Sequence, residues 1–227
     1  MQYLPAAEKN QIFRRLLRKA AREDLYSAAS TLLPYRINVA LPGARRSFEQ
    51  VVIKDVHTLL ALESVWATIR PKIIVLLRHP GAIAASWARL GLKGDFHPQK
   101  ERLLEQGVLM EDYLQEFRGH MLSHDEFYFN VGVYWGAVYY VVQKIADEGG
   151  CGPCIFATHE YLCNDPLKNF SDLFECVGLK MTKRAEILLS EGDSKFEAEK
   201  WKKAVGPEEL DAIMEGVRPF KVFERHY

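Results

Sequence analysis

The chain has 227 residues, 48% hydrophobic and 26% charged, the balance of an ordinary globular domain with material for a sizeable core. Thirty Lys and Arg offset thirty Asp and Glu, so no net field draws it to nucleic acid or to an anionic membrane. No apolar run approaches the roughly 18–20 residues that span a bilayer, and the first residues lack the basic-then-apolar layout of a signal peptide.

Four cysteines do not suggest a disulfide scaffold, so a reducing, cytoplasmic setting is expected. With no repeat, low-complexity tract or linker, residues 1–227 read as a single domain. Residues 8–22 have a helical rhythm, with Ile12, Phe13, Leu16 and Leu17 on one side and five cations around them. A solvated helix face accounts for those cations better than a nucleic-acid arm, because no aromatic or glycine spacing accompanies them.

Residues 50–53 predict a buried strand ending at Lys54 and Asp55, followed by a helix from Thr58 to Ile69. The unbroken apolar run Ile73–Leu77 predicts a strand buried on both faces, as in a parallel sheet. Arg78 ends it, and Pro80 suits the first turn of a helix. Strand, helix, strand, helix implies a right-handed βαβ crossover. Residues 99–117 and 127–147 read as helices, the second dense in aromatics that belong in a core. Gly149, Gly150, Gly152 and Pro153 break the chain before a third strand, Cys154–Ala157. Helices and short loops complete it. The fold class expected is α/β, a parallel sheet flanked by helices.

In open α/β sheets, ligands bind outside the carboxyl ends of strands, beside helix starts that attract anions. Arg78 at a strand end, next to such a helix start, therefore predicts an anion site, with a structural salt bridge as the plain alternative.

The run Ile73–Leu77, Arg78, Pro80 and Ser86, eight positions after the arginine, resembles the 3′-phosphate motif of sulfotransferases that use 3′-phosphoadenosine 5′-phosphosulfate (PAPS). Downstream, Glu160, Leu162, Asp165, Pro166, Phe170, Leu173, Phe174, Gly178 and Leu179 are similar to a second element of that family. Trp201–Lys203, Pro207–Leu210, Ile213 and Tyr227 resemble its closing helix. The resemblance implies a P-loop NTPase-like sulfotransferase fold, PAPS as sulfuryl donor, and a small-molecule or carbohydrate acceptor carrying a hydroxyl or amine.

It further implies roles for individual residues. Arg78 and Ser86 would hold the 3′-phosphate. His159, where the family usually has a tyrosine, would lie near the adenine. Ser194 and Lys195 fall where a loop covers the nucleotide. Lys54 fits the lysine that stabilises charge at the bridging oxygen. His57, one residue beyond the usual histidine position, is a candidate general base, with Asp55 and Glu63 as rivals that could equally cap the following helix.

The family's 5′-phosphosulfate loop has no counterpart; the nearest stretch, Leu41–Ser47, reads as a surface loop. The first strand–loop–helix is expected to be missing, as in an N-terminally truncated member. A catalytically dead interaction module, using its aromatic helix as a partner surface, is the alternative.

Three other patterns are weighed. Cys151-Gly152-Pro153-Cys154 spells the thioredoxin tetrapeptide but precedes a strand rather than opening a helix, so a surface or half-buried thiol pair is expected instead of an oxidoreductase centre. A zinc site from Cys151, Cys154, His159 and Cys163 would need the intervening strand to bend. His120 and His124 read as solvated.

Overall fold

The structure is a computed structural model that describes residues 52–56, 58–94, 97–191 and 194–227, with backbone alone at 97, 98, 194 and 195. His57, the 8–22 helix and the Leu41–Ser47 loop lie outside the described residues.

Asp55 Oδ1 accepts the Thr58 N–H at 2.9 Å, and a 3₁₀ turn, Leu59–Ala61, leads into helix α1, Leu62–Ile69. Asp55 thus serves the helix start, one of the two roles open to it. Arg70 closes α1 in a left-handed conformation, and strand β1 follows at Ile73–Leu77. Helix α2, Pro80–Arg89, begins with Pro80 at its first position and His79 as its N-cap. Helix α3 spans His97–Leu104.

The helix expected over 99–117 is not continuous. After α3 the chain runs through a short helix Gly107–Leu109, a π turn Met110–Leu114, a 3₁₀ turn Gln115–Phe117 and a last turn Arg118–Met121. Lys100, only 5% exposed, ties this region down: its ammonium donates to the His124 carbonyl at 2.9 Å and to Asp125 at 3.3 Å.

Helix α4, Phe127–Asp147, matches the sequence expectation and runs through the core, burying Phe129, Val131, Val133, Trp135, Val138, Val141 and Ile145. Strand β2, Cys154–Thr158, pairs parallel with β1, Ile73 opposite Cys154 and Leu77 opposite Thr158. Helix α5, His159–Asn164, follows at once, and α6, Pro166–Val177, is capped by Asp165 and closed by left-handed Gly178. Then come α7 (Lys183–Glu191), α8 (Ser194–Glu199), a 3₁₀ turn Lys200–Lys203, α9 (Pro207–Val217), a 3₁₀ turn Arg218–Phe220 and α10 (Phe223–His226).

The α/β class holds, with a small two-stranded parallel sheet in a mostly helical chain. Two expectations about the sheet are corrected. Residues 52 and 53 of the 50–53 segment are not in a strand; Val52 and Ile53 stand 75% and 53% exposed. β1 is buried on one face only. Ile73, Val75 and Leu77 enter the core, while Ile74 and Leu76 remain 37% and 49% exposed. The two corrections share a cause, since a strand needs both a neighbour at its edge and a layer on each face to disappear from water.

The tightest helix crossing is α4 on α9. A methyl at Gly132 would overlap the Ile213 carbonyl, and one at Gly216 would strike the Phe129 carbonyl. Backbone is in contact with backbone there, and backbone cannot rotate aside. Gly132→Ala should therefore cost about 1–3 kcal/mol through overpacking, against the slight helix-propensity gain of alanine. Urea unfolding of the two proteins measures it; equal midpoints would mean the helices can separate freely.

Candidate functional site

The carboxyl ends of β1 and β2 lie side by side, and the chain leaves each into a helix. At the end of β1 the Trp135 indole N–H donates to the Arg78 carbonyl at 2.8 Å, and the Tyr139 hydroxyl donates to the Leu76 carbonyl at 3.2 Å. These α4 donors fix the strand end from below. The Arg78 side chain leaves from that fixed point, half-buried, and its Nε–H is fully covered with no hydrogen-bond partner among the described residues. A covered cationic N–H without an acceptor costs about 1–3 kcal/mol for the donor alone, a cost that an anion placed within reach would offset.

The start of α2 works differently from expectation. Pro80 has no N–H. Gly81 N–H is taken by the His79 ring Nδ1 at 3.1 Å, and the N–H groups of Ala82 and Ile83 by the His79 carbonyl. The His79 N–H goes to Glu160 Oε1 at 3.1 Å. The amides that would cradle an anion at a helix start are already occupied, and a carboxylate stands beside them. What remains for an external anion is the Arg78 side chain.

Glu160 is a junction. Its second oxygen accepts the Tyr227 hydroxyl at 2.8 Å, which together with burial pushes that hydroxyl well above its usual range. His79 stacks on Trp201 at 4.3 Å between ring centroids and meets Phe223 and Tyr227 edge-on. Phe223 and Tyr227 stack on each other at 4.7 Å. Burial pushes His79 down to about 4, against the pull of Glu160 and helped by Lys202. A neutral ring is what the geometry requires, because Nδ1 must accept a hydrogen bond.

Of the sequence-predicted residues, Arg78 and His159 are brought together. His159 opens α5 directly after β2, behind Thr158, whose hydroxyl caps the helix by accepting the Tyr161 N–H at 3.1 Å. Burial and then the Arg78 charge lower the pKa of His159. Its ring lies 3.7–3.8 Å from Cys163 Sγ. Helix α8, which begins at Ser194 and Lys195, packs on α5; the side chains of these two residues lie outside the described set. Ser86 is half-buried two turns into α2. Lys54 is exposed in irregular chain, and no described contact joins it to Arg78.

Four residues gain a role at the strand ends that the sequence did not assign them: His79, Trp201, Glu160 and Tyr227. The available signal for His79 was a histidine directly before proline at a helix start, an unusual N-cap. Elsewhere, His120 is half-buried rather than fully solvated: its Nε2 bonds the Gly216 carbonyl at 3.1 Å and its ring meets Phe129 and Phe220. His124 is exposed near Glu215. Cys151, expected at or near the surface, is fully buried and bonded to Cys154, so in this structure the pair is a disulfide rather than two thiols. Among the described residues no helix is long and apolar enough to cross a membrane.

Comparison of the chain with protein-family models, curated proteins and solved structures gives no match.

The buried neutral His79 has a consequence for stability. Its folded pKa of about 4 lies below the ordinary 6.5, so at intermediate pH the unfolded chain binds a proton that the fold refuses. The His79 contribution to stability is fully present above pH 6.5 and is lost as pH drops towards 4, an effect on the order of 2–3 kcal/mol. His159 and His226, also lowered mainly by burial, add in the same direction. Melting midpoints across this range should fall less steeply in His79→Asn, which keeps an N-cap acceptor. Identical slopes would show that another group carries the effect.

Proposed function

We propose that the chain binds the 3′-phosphate of PAPS at Arg78 and serves sulfuryl transfer from PAPS to a hydroxyl or amine acceptor. One observation carries the reading: Arg78 ends a parallel strand with its Nε–H covered and unpartnered among the described residues. A guanidinium offers a planar fork that matches phosphate oxygens, which a lysine cannot reproduce.

Further support comes from the neighbourhood. His159, half-buried and held neutral by burial and by Arg78, offers a flat uncharged ring at the adjoining strand end, suited to stacking on a purine. Ser86 lies further along the helix that begins beside Arg78. In this reading Lys54 stabilises the developing charge on the bridging oxygen as the sulfuryl group passes to the acceptor. The products are a sulfated acceptor, 3′,5′-adenosine bisphosphate and a proton. As with phosphoryl transfer, the protein mainly positions the reactants and neutralises charge.

The interaction-module alternative drew on the aromatic helix as a partner surface. In α4, Tyr139 is buried and Tyr128, Tyr134 and Tyr140 are half-buried, so that surface is largely spent on the core.

A thermal-shift titration with 3′,5′-adenosine bisphosphate, with AMP as control, tests the reading. Ligand at about 100 times its dissociation constant should stabilise the fold by about 2.7 kcal/mol, with little effect from AMP and none in Arg78→Ala. Glu160→Gln, which removes a negative charge beside the site, should tighten binding. A cooperative melt indifferent to adenosine bisphosphate would overturn the proposal.

A further inference from the structure

The turn between α4 and β2 is unrelated to the anion site and carries its own chemistry. Cys151 and Cys154 are bonded across two residues, with Cα atoms 6.4 Å apart. A loop this short removes little entropy from the unfolded chain, so the bond is a weak structural staple. The surrounding turn is instead held by other means. Gly150 N–H reaches the Ile145 carbonyl at 2.8 Å and Gly152 N–H the Gly149 carbonyl at 3.2 Å. Gly152, at φ +62°, lies under the Trp66 indole with no room for a side chain, and Arg70 covers that indole at 4.7 Å.

The two sulfurs differ in access. Cys151 has no exposed surface and belongs to the core. Cys154, first residue of β2, is partly exposed, next to the exposed Pro153. Each sulfur also has a backbone carbonyl within reach, Cys154 Sγ at 3.8 Å from the Cys151 carbonyl and Cys151 Sγ at 3.9 Å from that of Gly152. A pair of thiols would find acceptors without moving the turn.

We propose that Cys151 and Cys154 form a reversible dithiol–disulfide pair that exchanges with small-molecule thiols of the glutathione class, with Cys154 as the sulfur attacked from solvent. In reduction, an external thiolate bonds to Cys154 Sγ, the Cys151–Cys154 bond breaks, and Cys151 leaves with the electron pair and takes up a proton. A second external thiolate then attacks the external sulfur of the mixed disulfide, releasing Cys154 as a thiolate that is protonated in turn. Two thiols are oxidised to one small disulfide while the protein disulfide is reduced to two thiols. Oxidation runs the same steps backwards, with Cys151 displacing the small thiol from Cys154.

The test is equilibration of the folded 227-residue chain in mixtures of reduced and oxidised glutathione, followed by alkylation and peptide mapping. The map separates this pair from Cys163 and Cys176, the other two cysteines. The pair should interconvert fully and reversibly while far-ultraviolet circular dichroism stays unchanged. In Cys151→Ser, Cys154 should collect one glutathione; in Cys154→Ser, Cys151 should react at least tenfold more slowly. Resistance to reduction until the chain is denatured would overturn the proposal. So would failure of the reduced pair to re-form its bond, or equal reactivity of the two single variants.

Discussion

Two hydrogen bonds from one helix determine where β1 ends. Trp135 and Tyr139 of α4 donate to the carbonyls of Arg78 and Leu76, so the strand is held from the core side through its last turn. Indole and phenol suit this task because each buries a large apolar body and keeps one donor at its tip. The position of α4 is set in turn by α9, against which Gly132 and Gly216 bring backbone to backbone. Arg78 therefore projects from a point located by packing some distance away, which is how a rigid scaffold lends accuracy to a charged side chain.

Around that point, polar groups are almost fully matched to one another. The His79 ring caps the helix start, Glu160 receives the His79 N–H and the Tyr227 hydroxyl, and burial keeps His79 neutral so that it can accept. Arg78 Nε–H, by contrast, is covered and has no partner among the described residues. Stacking of His79 on Trp201, worth about 0.5–1.5 kcal/mol beyond area burial, ties the β1–α2 turn to the segment before α9. Helix α10, whose Phe223 meets His79, is further anchored by the Arg225–Asp147 pair and by His226 on Gln143. In the proposed reading, an external phosphate would meet a helix start whose first amides are already engaged, and its specificity would come from guanidinium geometry rather than from a helix dipole.

Local patterns were legible wherever they were strong. The apolar run of β1, the aromatic-rich stretch of α4, the Gly-rich break before β2 and the Asp165–Pro166 start of α6 each form the element expected, although β1 buries one face and not two. The 50–53 segment misleads because an apolar tetrapeptide says nothing about whether a neighbouring strand exists to pair with it; at 52 and 53 the chain is irregular and exposed. The 99–117 stretch has helical periodicity, yet its turns pass between α-, π- and 3₁₀-geometry. In the site, Arg78 was legible from its place after β1. The engagement of the α2 amides by His79 and Glu160 was not, because it depends on a contact between residues 81 positions apart.

The Nε–H of Arg78 can be observed directly by its proton–nitrogen correlation signal in nitrogen-labelled protein, assigned by its loss in Arg78→Lys. A donor waiting for an anion should shift markedly when 3′,5′-adenosine bisphosphate is added and much less with AMP at equal concentration. A signal indifferent to saturating bisphosphate, in protein shown to be folded, would mean that Arg78 is a structural arginine and that the carboxyl end of β1 is no anion site.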